Sequence, residues 1–330
     1  MPITLTLPAL GCFDGEDEHF LGMCGMHGTY EANMAMHGCD LMICLGARFD
    51  DRVTSNIKGF SPNSKKIHID IDKSSINKNI MVDVGIVGDA GEVLKELIKT
   101  GVKVNDYSDW WKRIETWRSM NCLRYKDSDE IIKPQKVIET LYELTKDKDT
   151  YIATEVGQHQ MWTAQYYKFR KPLHFMTSCG LGTMGYGLPS SIGTLIADRT
   201  RTVILVAGDS SFQMNIQELG TVLQEQIPLK MIILNNHFMG MVKQHQDLFY
   251  QKRHASTKMD AQPDLMKIAD AYNIKALSVK NPLELKDKMK EWLNHDGATL
   301  LNVMIDENEH VYPMIPAGQS HNTMLLGGLK

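Results

Sequence analysis

Asp209 and Asn236 each follow an apolar run, in RTVILVAGDSSF (201–212) and LKMIILNNHFMG (229–240). Runs of this kind read as strands buried on both faces, as in a parallel sheet. In such a sheet both strand ends lie on one edge, where ligands bind. Asp209 offers a hard anionic oxygen and Asn236 a neutral amide oxygen. Mg²⁺ takes near-octahedral oxygen ligation and is commonly completed by phosphate oxygens and water. One carboxylate and one amide leave several positions open, which suits a metal shared with a diphosphate. Gly208 lets the backbone turn sharply. The N–H groups of Ser210 and Ser211, at a helix start, can face phosphate. Asp209 taken alone fits a helix cap equally well. The Asn235-Asn236 pair at the next strand end is what favours the metal.

A second glycine-rich stretch, GLGTMG, spells G-x-G-x-x-G with Gly180, Gly182 and Gly185. Only LHFMTSC precedes it, and no acidic residue is clearly placed about 20 residues on, so a dinucleotide fingerprint is rejected.

Strand ends need strands and covering helices. DLMICLGARF (40–49) and KKIHIDID (65–72) read as buried strands, and EVLKELIK (92–99) reads as an amphipathic helix. The stretch 101–133 is charged, carries Trp110, Trp111 and Trp117, and reads as a helical linker. From Pro134 the pattern alternates. Helices are expected at PQKVIETLYEL, LPSSIGTLIA, MNIQELGTVLQEQ, PDLMKIADAY and PLELKDKMKEWL, and strands at DTYIATEVG, RTVILVAGD, LKMIILNN and TLLNVMID. Such alternation predicts an α/β fold: two doubly wound parallel-sheet domains, over 1–100 and 134–330.

The 330 residues include 43% hydrophobic and 23% charged side chains, with a net charge of −4. That composition fits two globular cores and offers no basic patch for nucleic acid. No apolar run reaches the roughly 18 residues of a membrane helix, and MPITLTLPALG lacks the features of a signal peptide. The six cysteines form no CxxC pair, which fits reduced thiols in a cytoplasmic protein.

Gly208-Asp209-Ser210 followed by Asn235-Asn236 resembles the Gly-Asp-Gly…Asn-Asn signature of the thiamine-diphosphate enzymes, with Ser210 in place of the usual Gly. EVGQHQMW, GLGTMGYGLP, MNIQELGTV, GMVKQ and VYPMIP, with LGMCGMHGTYEAN, LGARFDDRV and KKIHIDID, narrow the resemblance to the acetolactate (acetohydroxyacid) synthases, over essentially the whole chain. The resemblance implies that Asp209, Asn236 and the Phe238 carbonyl hold Mg²⁺. It implies that Val156, Gly157, Gln158 and His159 reach the diphosphate. It places Gly182, Gly208, Ser210, Ser211, Gly240 and Met241 beside the cofactor, and Met184 as the bulky residue that props it in a bent conformation. Standing alone, His159 and Met184 would read as ordinary packed side chains.

The first segment resembles the partial central, FAD-binding domain of that family. Thr6, Leu7, Gly25, Met26, His27, Gly46, Ala47, Arg48, Asp50, Arg52, Val53, Asp70, Ile71, Gly88 and Asp89 match its flavin-contacting positions, while Pro8 and Ser75 depart from the residues usual there. The resemblance gives the flavin no net redox role. Arg52, Met241, Val242 and His245 match substrate-side positions. Arg52 on its own also fits a surface ion pair. His245 stands where the family usually has Trp, which bears on the choice of second 2-oxo acid.

The implied activity is decarboxylation of pyruvate and transfer of the two-carbon unit to pyruvate or 2-oxobutyrate, in branched-chain amino acid biosynthesis. A homodimer or larger assembly and a small regulatory subunit are implied with it. The family's activating glutamate belongs to a pyrimidine-binding domain that nothing here resembles. A C-terminal fragment, inactive by itself and without a catalytic residue of its own, is therefore expected. A pyruvate oxidase or decarboxylase, and a non-catalytic cofactor-binding fragment, are the alternatives.

Overall fold

The computed structural model describes residues 1–101 and 105–327. Residues 102–104 of the expected linker and 328–330 of the expected second domain lie outside the described residues. The chain divides into two units, one of Met1–Thr6, Glu18–Arg124 and Tyr312–Lys330, the other of Leu7–Asp17 and Tyr125–Val311.

In the first unit β1 (Ile3–Leu5) pairs in parallel with β2 (Phe20–Met23). The helix α1 (Tyr30–Gly38) starts at Thr29, whose hydroxyl accepts the Ala32 N–H at 3.3 Å. β3 (Leu41–Leu45), the short helix α2 (Asp51–Thr54), β4 (Lys65–Asp70) and β5 (Val84–Val87) follow. The three strands form a separate parallel sheet in the order β3-β4-β5. α3 (Ala90–Lys99) is capped by Asp89, and α4 (Ser108–Arg118) comes from the Trp-rich stretch. Ile114 of α4 is buried with Leu21, Ala32 and Ala35, and the three tryptophans pack around them. The chain after Tyr312 returns to this unit. The Ile315 N–H donates to the Met26 carbonyl at 2.8 Å, and His321 Nε2 lies 2.8 Å from the Val53 carbonyl.

DLMICLGARF was expected to be buried throughout. The strand instead ends at Leu45, where Gly46 turns with a φ of +65°, and Leu41, Ile43 and Leu45 are 48%, 38% and 44% exposed. Alternate residues of a strand face opposite sides, and among the described residues only the Met42/Cys44 side has a covering layer, built from Phe49, Phe60 and Ile80.

The second unit begins its main run with α5 (Pro134–Thr145), β6 (Thr150–Thr154), α6 (Gln158–Tyr166), β7 (Phe175–Thr177) and α7 (Gly187–Ala197). β8 (Thr202–Gly208), the single turn α8 (Asp209–Phe212), α9 (Leu219–Gln224), β9 (Lys230–Asn235) and α10 (Gly240–Phe249) come next. α11 (Leu265–Ala271), β10 (Lys275–Val279), α12 (Leu285–Leu293) and β11 (Thr299–Met304) complete it. All six strands are parallel, in the order β10-β11-β9-β8-β6-β7.

MNIQELGTVLQEQ, expected as one helix, is broken. Asn215 has φ −131° and ψ 32°, and regular α-helix begins only at Leu219. The Asn215 side chain donates to the Gly185 carbonyl at 2.6 Å, a bond that holds the residue out of the helix.

Leu188, Ile192 and Leu195 of α7, Leu219 and Val222 of α9, and Leu265 and Ala269 of α11 form one buried cluster with Val203, Leu205, Met231 and Ile233 of the sheet. α5, α6 and α12 serve the other side, where Ile204, Val206, Ile232 and Trp292 are buried. Both sheet faces are thus covered, which is why the strands read as unbroken apolar runs. Among the described residues no helix is long and apolar enough to cross a membrane. All six cysteines are free thiols.

Leu205→Ala removes a fully buried side chain from β8. We expect a loss of about 2–5 kcal/mol in the stability of this unit, read as a lower urea midpoint for the transition that α5–α12 share.

Candidate functional site

The chain leaves β6 toward β7 on one side and later returns past β6 to β8 on the other. Right-handed crossovers in opposite directions put their helices on opposite faces, which opens a crevice at the carboxyl ends of β6 and β8. A pocket lies there. It is lined by Val156, Gly157, Gln158 and His159 after β6, Met184 after β7, Gly208, Asp209, Ser210 and Ser211 after β8, and Asn236, Phe238, Gly240, Met241 and Val242 after β9. Gly182 does not line it, but its turn, at φ +65°, brings it to the Val156 side chain. His245, on α10, does not line the pocket either, and its ring packs 5.7 Å from that of Phe249.

Asp209 is almost wholly buried. Its carboxylate accepts from Gln262 Nε2, and burial pushes its pKa up to about 6, against the lowering effect of that bond. Gln262 is itself held, since Asn235 Nδ2 donates to its Oε1 at 3.0 Å and to Asn302 Oδ1 at 3.1 Å. Asn236 Oδ1 accepts the Phe238 N–H at 3.1 Å, closing a turn through His237, whose φ is +57°. The Phe238 carbonyl accepts from Ser210 Oγ at 3.3 Å, so the two strand-end loops are bonded to each other. Among the described residues no three His, Cys, Asp or Glu side chains gather as a metal cluster. A cation beside Asp209 would therefore draw on amide and main-chain oxygens.

On the other wall, Gln158 Nε2 donates to Gln244 Oε1 at 3.0 Å and to the Glu309 carbonyl at 3.1 Å, and its Oε1 accepts from Asn236 Nδ2 at 3.4 Å. Gln244 Oε1 accepts the Val311 N–H at 2.7 Å. His159 is buried, and desolvation pushes its pKa down to about 4, which keeps the ring neutral. Its Nε2 has no hydrogen-bond partner. Gly157 and Gly208 flank that ring closely, and a Cβ at either would lie 2.9 Å from it. A Cβ at Gly240 would meet Gln158 Oε1 at 2.1 Å. The three glycines are therefore required by close approach.

Glu155 carries the other end of the architecture. It has no exposure, and its Oε2 accepts the Gly185 N–H at 2.5 Å and its Oε1 the Leu188 N–H at 3.1 Å. Burial raises its pKa, and main-chain N–H groups of Leu188, Gly185, Gly187 and Tyr186 oppose that rise. The carboxylate thus satisfies orphan donors at the start of α7 and fixes the loop that carries Met184.

Sequence reasoning missed Trp162, Leu234 and Met239, which also line the pocket, and the supports Gln244, Gln262 and Asn302. Trp162 follows Gln158 by four residues and shares its helix face, a signal that depends on α6 being recognised as a helix. Nothing in the sequence ties Gln262 to Asp209, 53 residues apart.

In the first unit the flavin-matched residues sit at strand ends. Thr6 follows β1, and Gly25, Met26 and His27 follow β2. Gly46, Ala47, Arg48 and Asp50 follow β3, Asp70 and Ile71 close β4, and Gly88 and Asp89 follow β5. Leu7 opens a short 3₁₀ turn that belongs to the second unit. The Met26 N–H donates to the Arg52 carbonyl at 2.7 Å, and Asp50 caps α2 by accepting the Arg52 and Val53 N–H groups. The exposed Arg52 guanidinium lies 3.5 Å from Asp51. Gly46 faces open space.

Two family models match this geometry in order. Residues 1–97 match the thiamine pyrophosphate enzyme central domain, and residues 155–303 match the thiamine pyrophosphate enzyme C-terminal TPP binding domain. The chain belongs to the thiamine pyrophosphate enzymes. Within that family it is similar to the acetolactate synthase large subunit of Haemophilus influenzae, at 46% identity over 332 residues. The acetolactate synthase isozyme 3 large subunit of Escherichia coli is 44% identical over 335 residues, and the acetolactate synthase large subunit of Porphyra purpurea 44% over 331. These matches cover 98–99% of this chain but only 56–58% of each relative. The chain thus spans less than two thirds of the length of these relatives.

Glu155→Gln keeps the shape but exchanges one accepting oxygen for a donor that faces main-chain N–H groups. We expect a loss of about 1–3 kcal/mol, measured by chemical denaturation of the purified chain.

Proposed function

We propose that this chain forms the diphosphate-binding part of an acetolactate synthase large subunit. In this reading Asp209, Asn236 and the Phe238 carbonyl hold Mg²⁺, and Gly157, Gln158, His159, Ser210 and Ser211 face the diphosphate. The observation that carries the reading is Asp209. A buried carboxylate whose proton is retained up to about pH 6 gains from a cation, and an amide and a carbonyl from the next strand end complete a hard-oxygen donor set. The unpartnered His159 Nε2 and the close glycines fit a polar ligand against the backbone. Thiamine diphosphate, when bound, supplies an electron sink for decarboxylation of a 2-oxo acid.

The chain's own groups bind and orient. Gln158 spans two walls of the pocket through Asn236 and Gln244. Neutral His159 can give or take a hydrogen bond at Nε2 without adding charge. Met184, held through Glu155, presents an apolar surface to the ligand, while Met241 and Val242 of α10 border the open side. The first unit would carry FAD at its strand ends, where Gly46 leaves room and Asp89 and Asp50 order the helix starts. Pyruvate and 2-oxobutyrate as substrates, a homodimer or larger assembly, a small regulatory subunit and a cytoplasmic location complete the proposal. The identity to large subunits supports it.

Metal binding carries a pH signature. Asp209 has a folded pKa raised from 3.8 to about 6, so its contribution to stability is full below about pH 4 and is lost as pH rises through 6. Ligation needs the deprotonated form. Mg²⁺-dependent binding of thiamine diphosphate, measured by calorimetry, should therefore strengthen from pH 4.5 to 6.5 and then level off, by the flanks of the value above. Asp209→Asn should weaken it at least about tenfold and flatten the profile. Unchanged affinity in that variant would remove Asp209 from the site.

The isolated 330-residue chain should yield no acetolactate from pyruvate. With the remainder of a large subunit supplied, acetolactate is the expected product. Acetaldehyde or acetyl phosphate in its place would overturn the synthase reading.

A further inference from the structure

We propose that Asp247 is a positioning residue for the metal side of the pocket: it directs the Phe238 carbonyl by holding the side chains of Lys243 and His254, which lie against the Phe238 ring. The inference rests on the proposed reading of that carbonyl as a Mg²⁺ ligand.

Asp247 belongs to α10 and does not line the pocket. Its side chain is only 8% exposed. Three segments of chain converge on its carboxylate. Lys243, one turn back on α10, donates from Nζ to Oδ2 at 2.8 Å. His254, beyond the end of α10, lies with Nε2 2.6 Å from Oδ1. His310, beyond β11, lies with Nε2 3.2 Å from Oδ2. Burial pushes the Asp247 pKa up, but the bonds from Lys243 and His254 outweigh it and hold the group below the usual carboxylate range.

Lys243 and His254 carry this anchoring to the metal side. Lys243 Nζ stands over the Phe238 ring, 5.2 Å from its centroid, and the His254 ring meets it edge-on at 6.0 Å. The segment that begins at His254 then runs antiparallel to the loop after β9. Phe238 is bridged to Lys258, and the bonds are made by their neighbours. The Met239 N–H donates to the Thr257 carbonyl at 2.8 Å, and the Met259 N–H to the His237 carbonyl at 2.9 Å. In such a pair the bridged residue turns its own N–H and C=O away from the opposing strand. Phe238 does so. Its N–H goes to Asn236, and its carbonyl accepts from Ser210, the residue after Asp209. The direction of that carbonyl therefore depends on how the 254–259 segment lies, and Asp247 ties the start of that segment to α10.

A carbonyl held in this way matters most to a cation with strict geometry. Mg²⁺ demands near-ideal octahedral ligation, whereas Ca²⁺ accepts a larger and more variable set of oxygens. Loosening Phe238 should cost Mg²⁺ more than Ca²⁺.

The test measures thiamine diphosphate binding to the 330-residue chain by calorimetry, with Mg²⁺ and again with Ca²⁺. Asp247→Asn keeps the shape of the side chain and removes its charge. The expected result is a loss of about tenfold or more in Mg²⁺-supported affinity and a smaller loss with Ca²⁺, so that the preference for Mg²⁺ falls. Lys243→Met keeps an apolar stem beside Phe238 and should shift the preference in the same direction, even where Asp247→Asn does not fold. An unchanged preference in the folded variants overturns the inference, whether both affinities persist or fall together, because a purely structural role lowers both alike. If the unaltered chain shows no Mg²⁺-dependent binding, the proposed function fails and this inference with it. Binding that persists with an unchanged preference sinks this inference alone.

Discussion

The carboxylate of Glu155 lies at the end of β6 with no access to water, and main-chain N–H groups at the start of α7 are its compensation. Burying that charge without them would cost several kcal/mol. The same contact decides where the GLGTMG loop goes, because Gly185 is bonded to Glu155 on one side and to Asn215 on the other. The bond of its neighbour Gly185 to Glu155 helps place Met184. The break at Asn215, the path of the chain into α9 and the shape of one pocket wall follow from this arrangement.

The rest of the pocket is organised by amides in place of charges. Asn235, Gln262 and Asn302 form a chain of side-chain bonds that ends on Asp209, and Gln158 and Gln244 form a second that ends on the main chain near Val311. Buried amides can each donate and accept, so such chains close without leaving ionic groups over. Asp209, at the end of the first chain, is an acid that burial penalises.

Much of this could be read from residue order, and the reasons are physical. β8 and β9 are buried on both faces, so they appear as unbroken apolar runs whose ends mark the site edge. Asp209 and Asn236 were legible as pocket residues because they sit directly at those ends. α6 was not legible as a helix, because QHQMWTAQY is buried on several sides and shows no single apolar stripe. Gln262 was invisible because its partner lies far away along the chain. β3 misled in the opposite direction. LMICL is apolar on both faces, as a strand covered on both sides should be, yet Leu41, Ile43 and Leu45 on one face stay 38–48% exposed.

The first unit is assembled from three stretches of chain, the last beginning at Tyr312. Ile315 is bonded to Met26, and His321 lies against Val53, near the opposite end of the sequence. A ribosome therefore releases the whole of Tyr125–Val311 before those contacts can form. The second unit has its long run available first and can fold as a unit during synthesis. The first must wait, partly built, for the final segment to emerge. During that interval its uncovered apolar strand is open to chaperones, and to the wrong neighbours.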